Sequence, residues 1–271
     1  MNFRWIVFSD LDGTLLEHST YAFEPALPAL RLLSEKKIPL VLCSSKTRSE
    51  IERLRLVLSN ADPFVSENGG AVFIPRGYFS RCFSFHKEDV AYLIIELGTP
   101  YPKLREVFGR IQQKLPGVLV GFGDLTVEEI VELSGLSPSD AELAAQREYD
   151  EPFMINDLGA AAEIRRLIEE AGLRMTRGGR FHHLTGRNDK GLAVRILKML
   201  YAEEFGAVRT LGLGDSLNDL PLLEEMDYPV LVQRPGGDYD PAVELPNLSR
   251  APAPGPEGWS RAVLQAIAEI P

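Results

Sequence analysis

The chain has 271 residues, 45% of them hydrophobic, which is enough to bury the cores of two modest domains. A net charge of −10 argues against nucleic acid or an anionic membrane surface as a partner. The only cysteines, Cys43 and Cys82, suggest neither a disulfide framework nor a thiolate metal site, and no stretch approaches the ~20 apolar residues of a membrane span.

Residues 4–9 read as a strand, with Trp5-Ile6-Val7-Phe8 a continuous apolar run. No basic leader precedes it, so no signal peptide is expected and the cytoplasm is the expected location. The run ends in Asp10-Leu11-Asp12-Gly13-Thr14. Two carboxylates at i and i+2 of an extended strand share one face, and Gly13 lets the chain turn away at once. Both acids are then left at the carboxyl end of a buried strand, where open α/β sheets place their ligands. One acid can attack phosphorus while the other handles a proton, and a divalent cation can sit between them. Leu27, Leu30 and Leu33 mark one face of a helix opened by Pro25. A second strand, Leu40–Cys43, is followed by Ser44, and Thr47-Arg48-Ser49-Glu50 has the form of a capping box. Ile51, Leu54 and Leu58 then lie on one helical face. Phe64–Ser66 is a third strand, and Glu67-Asn68-Gly69-Gly70 forms a turn before a strand over 71–74. This alternation implies a parallel sheet with helical crossovers.

Residues 82–187 are the expected second domain, of mixed α+β type. Leu104, Val107, Phe108 and Ile111 form a helical stripe within 101–115. Thr126-Val127-Glu128-Glu129 caps another helix, and Ser137-Pro138 opens a third. A helix over 158–171 closes at Gly172, and segments 173–176 and 180–184 read as a hairpin around Gly178-Gly179. Beyond it, Lys190 opens a helix over 190–204. The apolar Leu211-Gly212-Leu213 leads into Gly214-Asp215-Ser216-Leu217-Asn218-Asp219. The Pro/Gly-rich stretch 251–258 reads as a loop before a last helix over 259–270. Each residue type is used at roughly 5–7%, so four fixed positions recur by chance about once in 10⁵ windows. Two acidic patterns of that specificity, each after a strand, do not read as solvated turns.

Together these motifs resemble the haloacid dehalogenase-like superfamily of aspartate-nucleophile phosphatases. The superfamily is marked by DxDGT, a strand ending in Ser or Thr, a helix-borne Lys, and GDxxND. Here the four are Asp10/Asp12, Ser44, Lys190 and Asp215/Asp219, in that order. The resemblance implies an α/β fold: a Rossmann-like, doubly wound parallel-sheet core (1–81 and 188–271) with an inserted α+β cap domain (82–187). It implies Asp10 as nucleophile, Asp12 as acid/base, and Ser44 and Lys190 as phosphate-binding groups. Mg²⁺ would be held by Asp10, the backbone carbonyl of Asp12 and Asp215, with Asp219 behind or through water.

Three further segments, Ser66–Ala71, Ala145–Phe153 and Gly179–Gly186, are similar to the mannosyl-3-phosphoglycerate phosphatase family within that superfamily. The implied reaction is hydrolysis of a phosphorylated glycosyl glycerate, 2-O-mannosyl-3-phosphoglycerate, to mannosylglycerate and phosphate in compatible-solute synthesis. Glu67, Asn68 and Gly69 are then candidates for sugar contact, and Arg147 and Arg180 for bidentate carboxylate recognition. The alternative for those arginines is pairing with Glu148, Asp150 or Glu151. His182 and His183 point to opposite faces of a regular strand, so at most one meets substrate, and His182 is the candidate. Another sugar-phosphate phosphatase, or a phosphohexomutase of the same superfamily, is the alternative.

Overall fold

The computed structural model describes residues 3–178 and 181–268. The chain runs through β1 (Arg4–Ser9), α1 (Leu27–Glu35), β2 (Leu40–Cys43), α2 (Arg48–Leu58), β3 (Phe64–Ser66), β4 (Ala71–Pro75), β5 (Lys87–Glu88) and β6 (Tyr92–Glu96). It continues through α3 (Tyr101–Lys114), β7 (Leu119–Gly121), α4 (Val127–Ser134), α5 (Pro138–Ala144), β8 (Asp150–Ile155), α6 (Ala161–Glu170), β9 (Arg174–Gly178) and β10 (Phe181–Thr185). Last come α7 (Lys190–Phe205), β11 (Val208–Gly214), α8 (Leu220–Glu224), β12 (Tyr228–Gln233), β13 (Ser249–Pro254) and α9 (Gly255–Ala268).

The larger sheet has the order β13-β12-β11-β1-β2-β3-β4-β6-β5. Its first six strands are parallel; β4, β6 and β5 continue it antiparallel. Alternate residues of β1 feed two separate cores. Trp5 and Val7 join the side chains of α1, α2 and α9, including Leu33, Ile51 and Trp259. Ile6 and Phe8 join those of α7 and α8, including Val194, Leu197 and Leu222. Helices on both faces explain why the strand is apolar throughout rather than alternating.

The smaller sheet, β7-β8-β10-β9, is antiparallel. One face carries Phe153, Met175 and Leu184, covered by Leu104, Phe108 and Ile111 of α3 and Ile164 and Ile168 of α6. Its other face looks back toward the large sheet.

Two sequence expectations need correction. The segment from 82 does not all belong with the smaller sheet: β6 pairs with β4 from Tyr92 to Glu96, so β5 and β6 extend the large one. Residues 251–254 are not loop but the edge strand β13, and α9 begins directly at Gly255. Pro252 and Pro254 are tolerated because an edge strand has one side without a ladder.

Candidate active site

β1 and β11 lie side by side in register, Ser9 opposite Leu213, and the Asp10 N–H donates to the Leu213 carbonyl at 2.9 Å. The two acidic loops therefore leave the sheet at one level, between crossovers that run in opposite directions. One carboxylate oxygen from each of Asp10, Asp215 and Asp219 lies within 4.8 Å of the other two. Gly13 makes this approach feasible: its φ is +79°, and a Cβ there would stand 2.7 Å from Asp215 Oδ2.

Lys190, the first residue of α7, is buried and reaches both Asp10 Oδ1 and Asp219 Oδ1 at 2.6 Å. Asp189 caps that helix by accepting the Leu192 N–H, which fixes the turn from which the lysine projects. Asp219 Oδ2 accepts the N–H groups of Asp215 at 3.1 Å and Ser216 at 3.3 Å. Both oxygens of Asp219 are thus engaged in holding the loop and the lysine. Asp10 Oδ2 takes no hydrogen bond among the described residues.

Three buried carboxylates face one ammonium. Burial, then Asp219, raises the Asp10 pKa well above the usual carboxylate range, with Lys190 acting in the opposite sense. Burial and Asp219 push Asp215 up to about 7. Burial disfavours the charge on Lys190, but Asp10 and Asp219 outweigh it and raise its pKa. An excess of negative charge on an all-oxygen donor set fits a hard divalent cation such as Mg²⁺. Asp10 and Asp215 are the groups with oxygens to offer it.

Asp12 stands at the mouth of the site, 3.1 Å from Lys46 Nζ. Lys46 is also 3.6 Å from Glu50 and lies 4.5 Å from the centre of the Tyr21 ring. A cleft of about 760 Å³ opens here between the two sheets. Asp10, Asp12, Lys46, Asn68 and Asp215 line its floor, and Phe122, Arg147, Thr176, Phe181 and His183 its roof.

The structure sorts the other sequence candidates. Ser44 is buried one residue behind the lining, and its hydroxyl accepts the Lys46 N–H at 3.2 Å. Asn68 lines the cleft, with a buried Oδ1 that has no partner among the described residues. Glu67 does not line it. Its carboxylate accepts the Glu148 N–H at 3.0 Å and the Tyr149 N–H at 2.8 Å, which joins the core turn to the segment entering β8. Gly69 acts through shape: at φ +88°, a Cβ would fall 2.1 Å from the Asp189 carbonyl oxygen. Arg147 lines the cleft, while donating to the carbonyls of Ala144 at 2.8 Å and Ser45 at 2.9 Å. Arg180 lies outside the described residues. The histidine expectation is reversed. His182 is opposite Phe153 on the helix-covered face, and its ring lies 5.5 Å from that of Phe153. His183 is the one on the cleft face. Lys46, Phe122 and Phe181 were not singled out by sequence. Lys46 alone had a signal, as a cation between a strand end and a capping box.

A sequence model for a family described as haloacid dehalogenase-like hydrolase matches residues 7–99. A glucosyl-3-phosphoglycerate/mannosyl-3-phosphoglycerate phosphatase of Methanococcoides burtonii is 47% identical over 265 residues, 97% of each chain. A protein of the same name from Persephonella marina is 42% identical over 98% of each chain. The chain belongs to the haloacid dehalogenase-like hydrolase family. Among solved structures, a phosphatase of this superfamily from Bacteroides thetaiotaomicron superposes with a TM-score of 0.69. It covers 98% of this chain and 96% of its own, at 15% identity, which is a likeness of fold. The haloacid dehalogenase-like motifs thus sit at the carboxyl edge of the parallel strands, where such a sheet collects its ligands.

Proposed function

We propose that the chain is a Mg²⁺-dependent phosphomonoesterase that hydrolyses 2-O-(α-D-mannosyl)-3-phosphoglycerate, and its glucosyl counterpart, to glycosylglycerate and phosphate. The observation that carries this reading is the Asp10–Lys190–Asp215 cluster at the floor of a cleft roofed by a second sheet. The names of the relatives supply the substrate class.

Asp10 Oδ2 attacks phosphorus, forming an acyl phosphate as the ester oxygen departs. Asp12, exposed enough at the mouth to meet that oxygen, gives it a proton and then takes one from the attacking water. The water oxygen adds to phosphorus, phosphate leaves, and the Asp10 carboxylate is restored. Lys190 holds Asp10 in position and offsets charge on the phosphoryl oxygens. When bound, the cation neutralises the carboxylate cluster and the phosphoryl group it faces. Asp10, the Asp12 carbonyl and Asp215 would hold it, with Asp219 steadying them from behind. Ser44, through the turn it braces, shapes the phosphate pocket.

The roof, running from α3 to β10, is proposed as the cap that selects the leaving group, and the large sheet with β5 and β6 as the catalytic core. Arg147 lines the cleft from the roof segment between α5 and β8 and is the proposed carboxylate clamp. Phosphate release across glycosyl phosphoglycerates and common sugar phosphates, with and without Mg²⁺, tests the reading. Highest kcat/KM on a glycosyl phosphoglycerate, with no turnover in chelator, is expected. Equal turnover across the panel would overturn the substrate, and metal-independent turnover the mechanism.

A further inference from the structure

We infer that His183, oriented by Asp150, is the group with which the roof of the cleft reads the sugar hydroxyls of the leaving group. This rests on the glycosyl phosphoglycerate reading above. In the antiparallel register His183 stands opposite Pro152 on one side and Thr176 on the other. All three line the cleft. Asp150, two residues before Pro152, is on the same face of β8. It is fully buried, and its Oδ2 lies 2.7 Å from His183 Nδ1.

A carboxylate only accepts, so Nδ1 carries the proton, and rotating the ring away would cost Asp150 its one close hydrogen bond, leaving only Arg147 Nη1 at 3.9 Å. The remaining nitrogen, Nε2, has no partner among the described residues. In the neutral ring it is a lone pair that requires a donor. Asn68 Oδ1, on the floor of the same cleft, is a buried acceptor without a partner among the described residues. Acceptors left unmatched around a cleft call for a ligand rich in donors, and sugar hydroxyls are such donors. The single carboxylate of the glycerate has its counterpart in Arg147, whose Nη2 is uncommitted among the described residues. The phosphate chemistry at Asp10 needs none of this. Asp150 Oδ1 has no hydrogen-bond partner among the described residues, and Oδ2 also lies 3.9 Å from Arg147 Nη1, so one buried carboxylate positions both the imidazole and the guanidinium that face the cleft.

The test is the ratio of kcat/KM for the mannosyl phosphoglycerate to kcat/KM for 3-phosphoglycerate, which lacks the sugar. His183→Asn keeps an amide donor near the Nδ1 position but removes the atom that reaches the substrate. Because both values come from one preparation, the ratio does not depend on the fraction of correctly folded enzyme. It should fall ~10- to 10²-fold, the scale of one lost hydrogen bond that leaves a partner unpaired. Asp150→Asn should lower the same ratio by acting through the ring. In ¹⁵N-histidine spectra of the wild type, one of the four histidines, identified by its absence in His183→Asn, should be protonated at Nδ1. That tautomer preference should be lost in Asp150→Asn, which a merely structural aspartate would not cause. An unchanged ratio in His183→Asn, with the wild type active on the mannosyl ester, overturns the inference and leaves the phosphatase reading standing. A wild type that cleaves other sugar phosphates but no glycosyl phosphoglycerate overturns the substrate reading, and this inference with it.

Discussion

Asp10 combines burial, two neighbouring carboxylates and a lysine at 2.6 Å, so its orientation is fixed by Lys190 rather than by solvent. Asn in its place keeps the shape and the contact with Lys190 but cannot form an acyl phosphate. Asp10→Asn should fold normally and lose at least ~10²-fold in kcat, and residual turnover above about 1% in pure protein would remove it from the nucleophile's role. Glu67 gives a prediction of the opposite kind, in stability. Burial, opposed by Arg147 and helped by Asp150, raises its pKa from 4.5 to about 8. The folded state then binds a proton at Glu67 that the unfolded chain has lost, so stability is full below about pH 4.5 and falls as pH rises toward 8. Glu67→Gln removes that slope. Between pH 5 and pH 9 the wild type should lose roughly a few kcal/mol relative to the variant in denaturant unfolding. Parallel pH profiles for the two proteins would show that Glu67 is ionised throughout. The sequence singles out Asp10, Asp12, Asp215 and Asp219 by short acidic spacings at strand ends and Lys190 by its place in the motif order, and the fold brings Asp10, Lys190, Asp215 and Asp219 together. The motifs misjudged Glu67 and His182, whose partners lie 81 and 29 residues away in the chain and depend on how two sheets meet.

At the scale of elements, the turn between β3 and β4 is what sets α7 at its proper distance from the nucleophile. Glu67, Asn68 and Gly69 all adopt positive φ, and the turn presses on Asp189, the cap of the lysine-bearing helix. Gly69→Ala adds a Cβ 2.1 Å from a backbone oxygen that cannot move without moving Lys190. It should cost ~2 kcal/mol or more in unfolding free energy and lower kcat as well. Gly77→Ala is the control. Its φ is +76°, but nothing lies within 4 Å of the added carbon, so only backbone strain of about 1 kcal/mol should remain. If both variants melt alike, packing against α7 is not what demands glycine at 69. Elements with a capping box or an apolar stripe were legible in the sequence: α2 follows the Thr47–Glu50 box, and α3 the Leu104–Ile111 stripe. The short strands β7 and β8 were not. Three residues of β7 carry too little period-two pattern, and Pro152 in β8 reads as a breaker until its place in the smaller sheet is known.

At the scale of the whole molecule, the cleft is closed along one side by a seam of hydrogen bonds between roof and floor. Thr47 Oγ1 donates to the Leu143 carbonyl at 2.9 Å, Ser49 Oγ to Gln146 at 2.7 Å, and Arg147 Nη1 to the Ser45 carbonyl at 2.9 Å. Arg53 and Asp140 add an ion pair between α2 and α5. Arg147 therefore belongs to the seam and to the cleft wall at once, and its removal has two consequences that must be separated. Arg147→Ala should lower kcat/KM for the glycosyl phosphoglycerate by ~10- to 10³-fold, since a charged hydrogen bond is worth about 1.5–3 kcal/mol and a displaced roof adds misorientation. Mg²⁺ affinity should be nearly unchanged, because none of the proposed ligands contacts this arginine. Ser49→Ala removes the seam's contact with Gln146 without touching the cleft's charge or the Thr47 cap of α2, so it reports the misorientation alone. A substrate lacking the glycerate carboxylate completes the cycle: it should reproduce most of the loss in wild type and little more in Arg147→Ala, as expected when one interaction is removed from either side. If Ser49→Ala matches the full loss of Arg147→Ala, and the carboxylate-free substrate loses as much again in Arg147→Ala, Arg147 holds the roof and some other cation receives the carboxylate.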